Sequence, residues 1–235
     1  MKVALGHIGR LVARLLIAII AAFIAVQVWF FGHILYWTAN NPATSRFMEL
    51  RLESQRDKNP KAKLAHNWVE YRDISVHLRR AIIVAEDAKF IDHDGFDWDG
   101  IQRALDKNQK KGAVVAGGST ISQQLAKNLF LSGDRSWVRK GQEALITAML
   151  EIVMDKRRIF EIYLNVVEWG EGVFGAEAAA RHYFGVPASR LTPEQAARLA
   201  AMLPRPRFFQ RNPGSNYLAE YSATILSRMP QARVP

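Results

Sequence analysis

The sequence predicts a mainly α-helical domain preceded by one N-terminal membrane-spanning helix. Three observations predict it: an apolar run near the N-terminus, apolar residues at helical spacing through the rest of the chain, and no convincing run of alternating strand residues. At 235 residues the chain has room for one substantial domain that buries its own core without metals or disulfides. A second full catalytic domain does not fit.

The apolar run comes first. Leu15 to Phe31 is seventeen residues in which only Gln27 is polar, and Gly32 to Trp37 extends it. That length spans a bilayer with slight adjustment at its ends. Lys2, Arg10 and Arg14 precede the run and Trp29, Tyr36 and Trp37 close it, the pattern of a cationic cytoplasmic flank and an aromatic belt on the far side. The expected organisation is a cytoplasmic N-terminus at 1–14, a transmembrane anchor at 15–37, a polar juxtamembrane connector at 38–63 and the working domain at 64–235, outside the cytoplasm. A cleaved signal peptide is the rival reading, but the stretch exceeds a usual signal core and no small-x-small cleavage site follows it.

The formal charge is +10 and the pI about 10.0. Without the three cations before residue 38, 29 basic residues still face 22 acidic ones, so the working domain keeps +7. Such an excess asks for an anionic partner: nucleic acid, an acidic membrane surface or a phosphate-bearing substrate. The expected topology carries the basic surface away from nucleic acid. There is no cysteine, which excludes disulfides, thiolate nucleophiles and cysteine-ligated metals. The six histidines and the acids show no metal-ligand spacing, so no metal site is expected.

Within the domain, Leu78, Ile82 and Ala85 predict one helix, Ile121, Leu125 and Leu129 a second, and Leu145, Met149 and Val153 a third. Thr192-Pro193-Glu194-Gln195 supplies a cap hydroxyl, a first-turn proline and a capping-box glutamine, and Pro204 stops that helix after Leu203. Tyr217 to Met229 is a last amphipathic segment expected to pack back on the core. Positions 107–118, rich in lysine and glycine, read as a mobile loop.

Three stretches carry chemistry. Glu86 and Asp87 end an apolar helix, where the macrodipole disfavours anions by roughly 0.3–1 kcal/mol. Stability alone would not place them there. A carboxylate emerging from an apolar helix suits a general base, because partial desolvation raises its basicity and the helix fixes its position; a solvated helix end is the bland alternative. Next, Gly117 and Gly118 lead into Ser119, Thr120 and a hydroxyl-capped helix, a cradle suited to phosphate or sugar. Ser119, Gln123 and Lys127 recur every four residues and share a polar face opposite Ile121, Leu125 and Leu129, although a solvent-facing stripe has the same spacing. Lys127 comes too late after the glycines for a nucleotide-binding loop. Finally, Arg135, Arg139 and Lys140 crowd around Glu143, with Glu151 further on; cations beside one carboxylate suit an anionic leaving group. Lys140 with Glu143 is otherwise an ordinary i,i+3 surface pair. The later Tyr163-Leu164-Asn165 and the glycines after Trp169 read as packing and turns.

In order, the chain shows Glu-Asp-x-x-Phe-x-x-His-x-Gly from Glu86, Gly-Gly-Ser-Thr-Ile-x-Gln-Gln-Leu-x-Lys-Asn from Gly117, Arg-Lys-x-x-Glu from Arg139, and Tyr-Leu-Asn from Tyr163. This series resembles the signature blocks of the peptidoglycan glycosyltransferases of glycosyltransferase family 51, over roughly Ile74 to Pro206. The chain resembles the monofunctional members, because the Ser-x-x-Lys and Lys-Thr-Gly motifs of a transpeptidase domain do not occur in it. The resemblance implies a lysozyme-like helical fold with a head and a smaller membrane-proximal jaw. It also implies roles. Glu86 would deprotonate the 4-hydroxyl of the acceptor GlcNAc on lipid II, which attacks C1 of the donor MurNAc on a lipid-linked glycan strand. Undecaprenyl pyrophosphate leaves and a β-1,4 bond forms with inversion. Glu143 would be the second catalytic carboxylate, organising the donor pyrophosphate with Lys127, Arg135, Arg139 and Lys140. Ser119, Thr120, Gln123 and Gln124 match positions lining the sugar cleft, and Asp87, Phe90 and His93 match residues that shape the first block. Gln142 departs from relatives that carry a further cation there.

The resemblance implies no required cofactor; a divalent cation, Mg or Mn, would only stimulate at the pyrophosphate. It implies lipid II, the lipid-linked strand and the membrane as partners, other cell-wall synthases or division proteins as further candidates, and the bacterial inner membrane as location. Two rivals stand beside it: a membrane-anchored lytic muramidase and a non-catalytic division scaffold. The cations around Glu143 separate the first, since cleaving a neutral glycosidic bond needs no pyrophosphate clamp.

Overall fold

The computed structural model describes residues 2–113, 117–134 and 136–235. Two compact units divide the chain, Met1–Asn40 and Asn41–Pro235. The first is helix α1 (Lys2–Trp37). Its Gly9–Trp37 portion, 29 residues, is long and apolar enough to cross a membrane; at 1.5 Å per residue it reaches about 43 Å, the depth of a bilayer with its headgroups. Leu15, Leu16, Ile17, Ile20 and Phe23 are all exposed. Apolar residues on every side leave no polar face to turn to water.

In the second unit, α2 (Arg46–Arg56) begins at Ser45, whose hydroxyl accepts the Met48 N–H at 3.3 Å. Met48 is buried, and Arg51 forks onto Glu168 at 2.8 and 3.0 Å. The segment expected as a connector at 38–63 thus contains a helix tied to the body of the domain. Its low apolar content hid it, because a bidentate ion pair does much of the fastening.

Helix α3 (Val76–Glu86) is capped by Ser75 and buries Leu78 and Ile82 as its spacing predicts. Helix α4 (Trp98–Lys111) starts at Asp97, which accepts the Gly100 N–H at 2.9 Å, and ends at Gly112 with φ +63. It takes up the first five positions of the loop expected at 107–118. Lys110 and Lys111 favour its last turn through the dipole, so the lysines mark a helix end. Residues 114–116 of that expected loop lie outside the described residues.

Helices α5 (Ile121–Phe130) and α6 (Trp137–Val153) occur where expected. In α6, however, the packed face is Glu143, Ile146, Thr147 and Leu150, while Leu145 is exposed. Apolar residues occupy both sides of this helix, so periodicity alone does not choose between them. Helix α7 (Lys156–Val166) is capped by Asp155 and is buried continuously from Ile159 to Val166.

Strands β1 (Ala65–His66), β2 (Glu168–Gly170) and β3 (Val173–Phe174) form a small sheet of order β1-β3-β2, with β1 parallel and β2 antiparallel to β3. Strands this short carry no alternation to read, which is why the sequence does not announce them. Helix α8 (Ala176–Phe184) follows Gly175, whose φ is +84 and where a Cβ would stand 2.7 Å from the Asn165 carbonyl oxygen. Only glycine fits there. Helix α9 (Pro193–Met202) carries the expected capping box of Thr192 and Gln195. Helices α10 (Pro206–Arg211) and α11 (Asn216–Arg228) complete the order, and α11 packs back on α9 and α3 as expected.

Two helix clusters result: α3 with α9 and α11, and α5 with α6 and α7, with α2 also lying on α5. Hydrogen bonds link the C-terminal end of α3 to α5 of the second cluster.

Candidate active site

Glu86 is the last residue of α3. Its Oε2 accepts from the Gln124 amide nitrogen at 2.7 Å, while Oε1, shut off from solvent, makes no hydrogen bond among the described residues. Burial pushes the Glu86 carboxyl above its ordinary range; the Gln124 bond and the Lys127 charge pull it down, and Asp87 adds to the rise. A carboxylate made more basic by burial can take a proton from a ligand.

Asp87 holds the neighbourhood in place. Its carboxylate accepts from His93 Nε2 at 3.1 Å and from the Ile121 N–H at 3.0 Å, the first free amide of α5. Thr120 completes the junction: its hydroxyl donates to the Gly95 carbonyl oxygen at 2.7 Å and accepts the Gln123 N–H at 3.2 Å. Gly95 has φ +88, and a Cβ there would stand 2.9 Å from Thr147. Phe90 is buried against Phe160 at a ring separation of 5.6 Å, which fixes the turn between Asp87 and His93.

The expected stripe Ser119, Gln123, Lys127 holds only in part. Ser119 precedes the helix, and Gln123 is buried with its Oε1 accepting the Thr120 N–H at 3.0 Å, which leaves its amide nitrogen alone for anything else. The glycine pair ends in an extended Thr120, so the helix starts too late to include Ser119.

Glu143 is 3% exposed. Arg139 donates to its Oε2 at 2.6 Å and Lys140 to its Oε1. The Arg139 Nε is shut off from solvent with no partner among the described residues. Lys127 stands between the two acids: burial holds its ammonium below the ordinary lysine range, Arg139 and Lys140 push the same way, and Glu143 and Glu86 both oppose. Its ammonium also sits 5.6 Å from the centre of the Phe47 ring. Arg135 lies outside the described residues. Glu151 belongs elsewhere, accepting from Ser122 and from Lys156 at 2.8 Å.

Two hollows adjoin. One, of about 300 Å³, is lined by Glu86, Asp87, Asp97, Arg103 and Thr120. The other, of about 200 Å³, is lined by Ile101, Leu105, Asn108, Gln123 and Lys140. Gly118 and Ser119 line both. The arrangement puts the Glu86 carboxylate at the wall of one compartment and the Lys140 cation at the wall of the next.

Tyr163, read from sequence as packing, belongs to this constellation: its hydroxyl donates to Gln124 Oε1 at 3.1 Å. The signal was available, because a tyrosine in an otherwise buried helix needs a hydrogen-bond partner.

The family model for transglycosylases matches residues 54–230. The chain is 58% identical over 228 residues to the biosynthetic peptidoglycan transglycosylase of Dechloromonas aromatica, covering 97% of this chain and 99% of the relative. It is 58% identical over 235 residues to that of Aromatoleum aromaticum, with both chains fully covered at 100%. With that of Nitrosospira multiformis it shares 59% over 222 residues, 94% of this chain and 96% of the relative.

Proposed function

Because the chain belongs to the transglycosylase family and is a peptidoglycan glycosyltransferase that polymerises glycan chains, we propose that Glu86 is the general base of that polymerisation. The supporting observation is a carboxylate that lines one hollow and is held through Oε2 by Gln124, with Lys140, itself paired beside Arg139 on Glu143, lining the next hollow across the shared edge at Gly118 and Ser119. In that step the Glu86 carboxylate takes the proton of the acceptor 4-hydroxyl on lipid II. The oxygen attacks C1 of the lipid-linked donor strand, the C1–O bond to pyrophosphate breaks with inversion, and its electron pair leaves on the diphosphate. One displacement suffices.

Lys127, Arg139 and Lys140 receive that charge, with Arg135 as a further cation of the same block. Glu143, enclosed between Arg139 and Lys140, keeps them oriented before substrate arrives. Asp87, His93 and Phe90 hold the turn after Glu86, and Ser119, Thr120, Gln123 and Gln124 form the sugar-facing edge. The scheme needs no resident metal; Mg or Mn would act on the substrate's own pyrophosphate.

The same reading places α1 in the bacterial inner membrane with its N-terminus cytoplasmic, supported by the cations before the apolar run and the aromatics after it. Exposed Trp98 on α4 and Trp137, Val138 and Ile152 on α6 suit a domain that dips into the lipid surface. Glu86→Gln tests the assignment: with labelled lipid II in detergent and products sized, polymerisation should fall by at least ~10²-fold, the usual scale for a lost general base. Near-normal strand synthesis would remove Glu86 from the role.

A further inference from the structure

The orientation of Gln124 has a cause. An ionised carboxylate only accepts hydrogen bonds, so the amide nitrogen of Gln124 must face Glu86, and it does, at 2.7 Å. Its carbonyl oxygen Oε1 then points the other way, to the Tyr163 hydroxyl at 3.1 Å. Tyr163 is fully enclosed on α7. Burial pushes its hydroxyl well above the ordinary tyrosine range, so it stays a donor wherever the enzyme works.

We propose that Tyr163 is a positioning residue for polymerisation: through the Gln124 amide, whose nitrogen it keeps turned to Glu86 Oε2, it holds the Glu86 carboxylate in the ionised form that takes the acceptor's proton. This rests on the reading of Glu86 as the base. Without the Tyr163 hydroxyl the amide is free to turn over and set its own oxygen against Glu86. That arrangement suits only a protonated glutamic acid, so it removes the base from its active form.

Other charged and titratable groups face Glu86 as well: Asp87 on its own turn, Lys127 from α5 and Tyr221 from α11. The hydroxyl of Tyr221 donates to the Ala85 carbonyl oxygen at 3.1 Å, so it holds backbone. Among the described residues, Gln124 alone donates to the Glu86 carboxylate, and Tyr163 stands directly behind it.

The test uses the full-length chain with lipid II in detergent. Tyr163→Phe keeps the ring and removes one hydroxyl. The acid limb of its kcat profile should move to higher pH, with kcat at neutral pH about tenfold lower, the scale of one charge-assisted hydrogen bond, and KM little changed. Gln124→Ala should displace the limb in the same direction, and adding Tyr163→Phe to it should cost nothing further. An undisplaced limb in Tyr163→Phe overturns the proposal, as does a full additional loss in the double variant, which would mean that Tyr163 acts by another route. If Tyr163→Phe does not fold, Gln124→Ala decides alone, and an unmoved limb there also overturns it. Failure of the underlying reading looks different: Glu86→Gln would itself remain active.

Discussion

Lys127 shows at single-residue scale how a charge is kept ready for use. It is pulled from water, pushed by two neighbouring cations and drawn by Glu143 and Glu86, so its ammonium sits where a further negative charge is strongly welcome. Lys127→Ala should raise KM for lipid II by about tenfold, the scale of one lost hydrogen bond to a charged group. It should also flatten the salt dependence of KM, and equal KM values for variant and parent at both low and high salt would remove Lys127 from the pyrophosphate site. Much of this neighbourhood could be read from the chain itself. Glu86 and Asp87 stand out because they end an apolar helix on the side where carboxylates are unwelcome. Tyr163 stands out less: its hydroxyl calls for a hydrogen-bond partner, but only the structure shows that the partner is Gln124. The division of labour within the second block was also hidden. Only the observed start of α5 shows that Gln123 serves the cap while Gln124 serves the acid.

The start of α5 is the element that joins the two helix clusters. Thr120 receives the Gln123 N–H and donates to Gly95, and Asp87 takes the next amide, so one helix end is fastened to the turn that follows Glu86. Thr120→Val keeps shape and loses both hydroxyl bonds. It should cost about 1–2 kcal/mol, lowering Tm by about 5 °C in a domain of this size, whereas Thr120→Ser should melt close to the parent; thermal unfolding in detergent gives the comparison. At this scale the sequence speaks clearly when one signal dominates and poorly when two compete. The capping box of α9 is unambiguous. The packed side of α6 is not, because Trp137 at 92% exposed and Ile152 at 80% exposed are as apolar as the residues it buries. Helix α2 escapes notice for the opposite reason, having few apolar residues to count.

For the whole molecule, the proposed anchoring of α1, a helix long and apolar enough to cross a membrane, would bring the basic domain and the lipid-linked substrate to the same surface. Confinement raises effective concentration without any new contact. A chain beginning at Asn41 should therefore polymerise lipid II in detergent at close to the full-length rate, yet fall by at least about tenfold when the substrate is diluted in lipid vesicles. Equal loss in both settings would mean that α1 matters to the catalytic unit itself. Helix α3 also limits how this body tolerates altered length. It is gripped along its side by α9 and α11, and Glu86 is its final residue. Inserting or deleting a single residue within it would swing that carboxylate by about 100° around the axis, away from Gln124. Lineages of this enzyme should consequently accumulate insertions and deletions in surface turns such as 212–215, while the residue count of α3 stays unchanged even as its outward side chains drift.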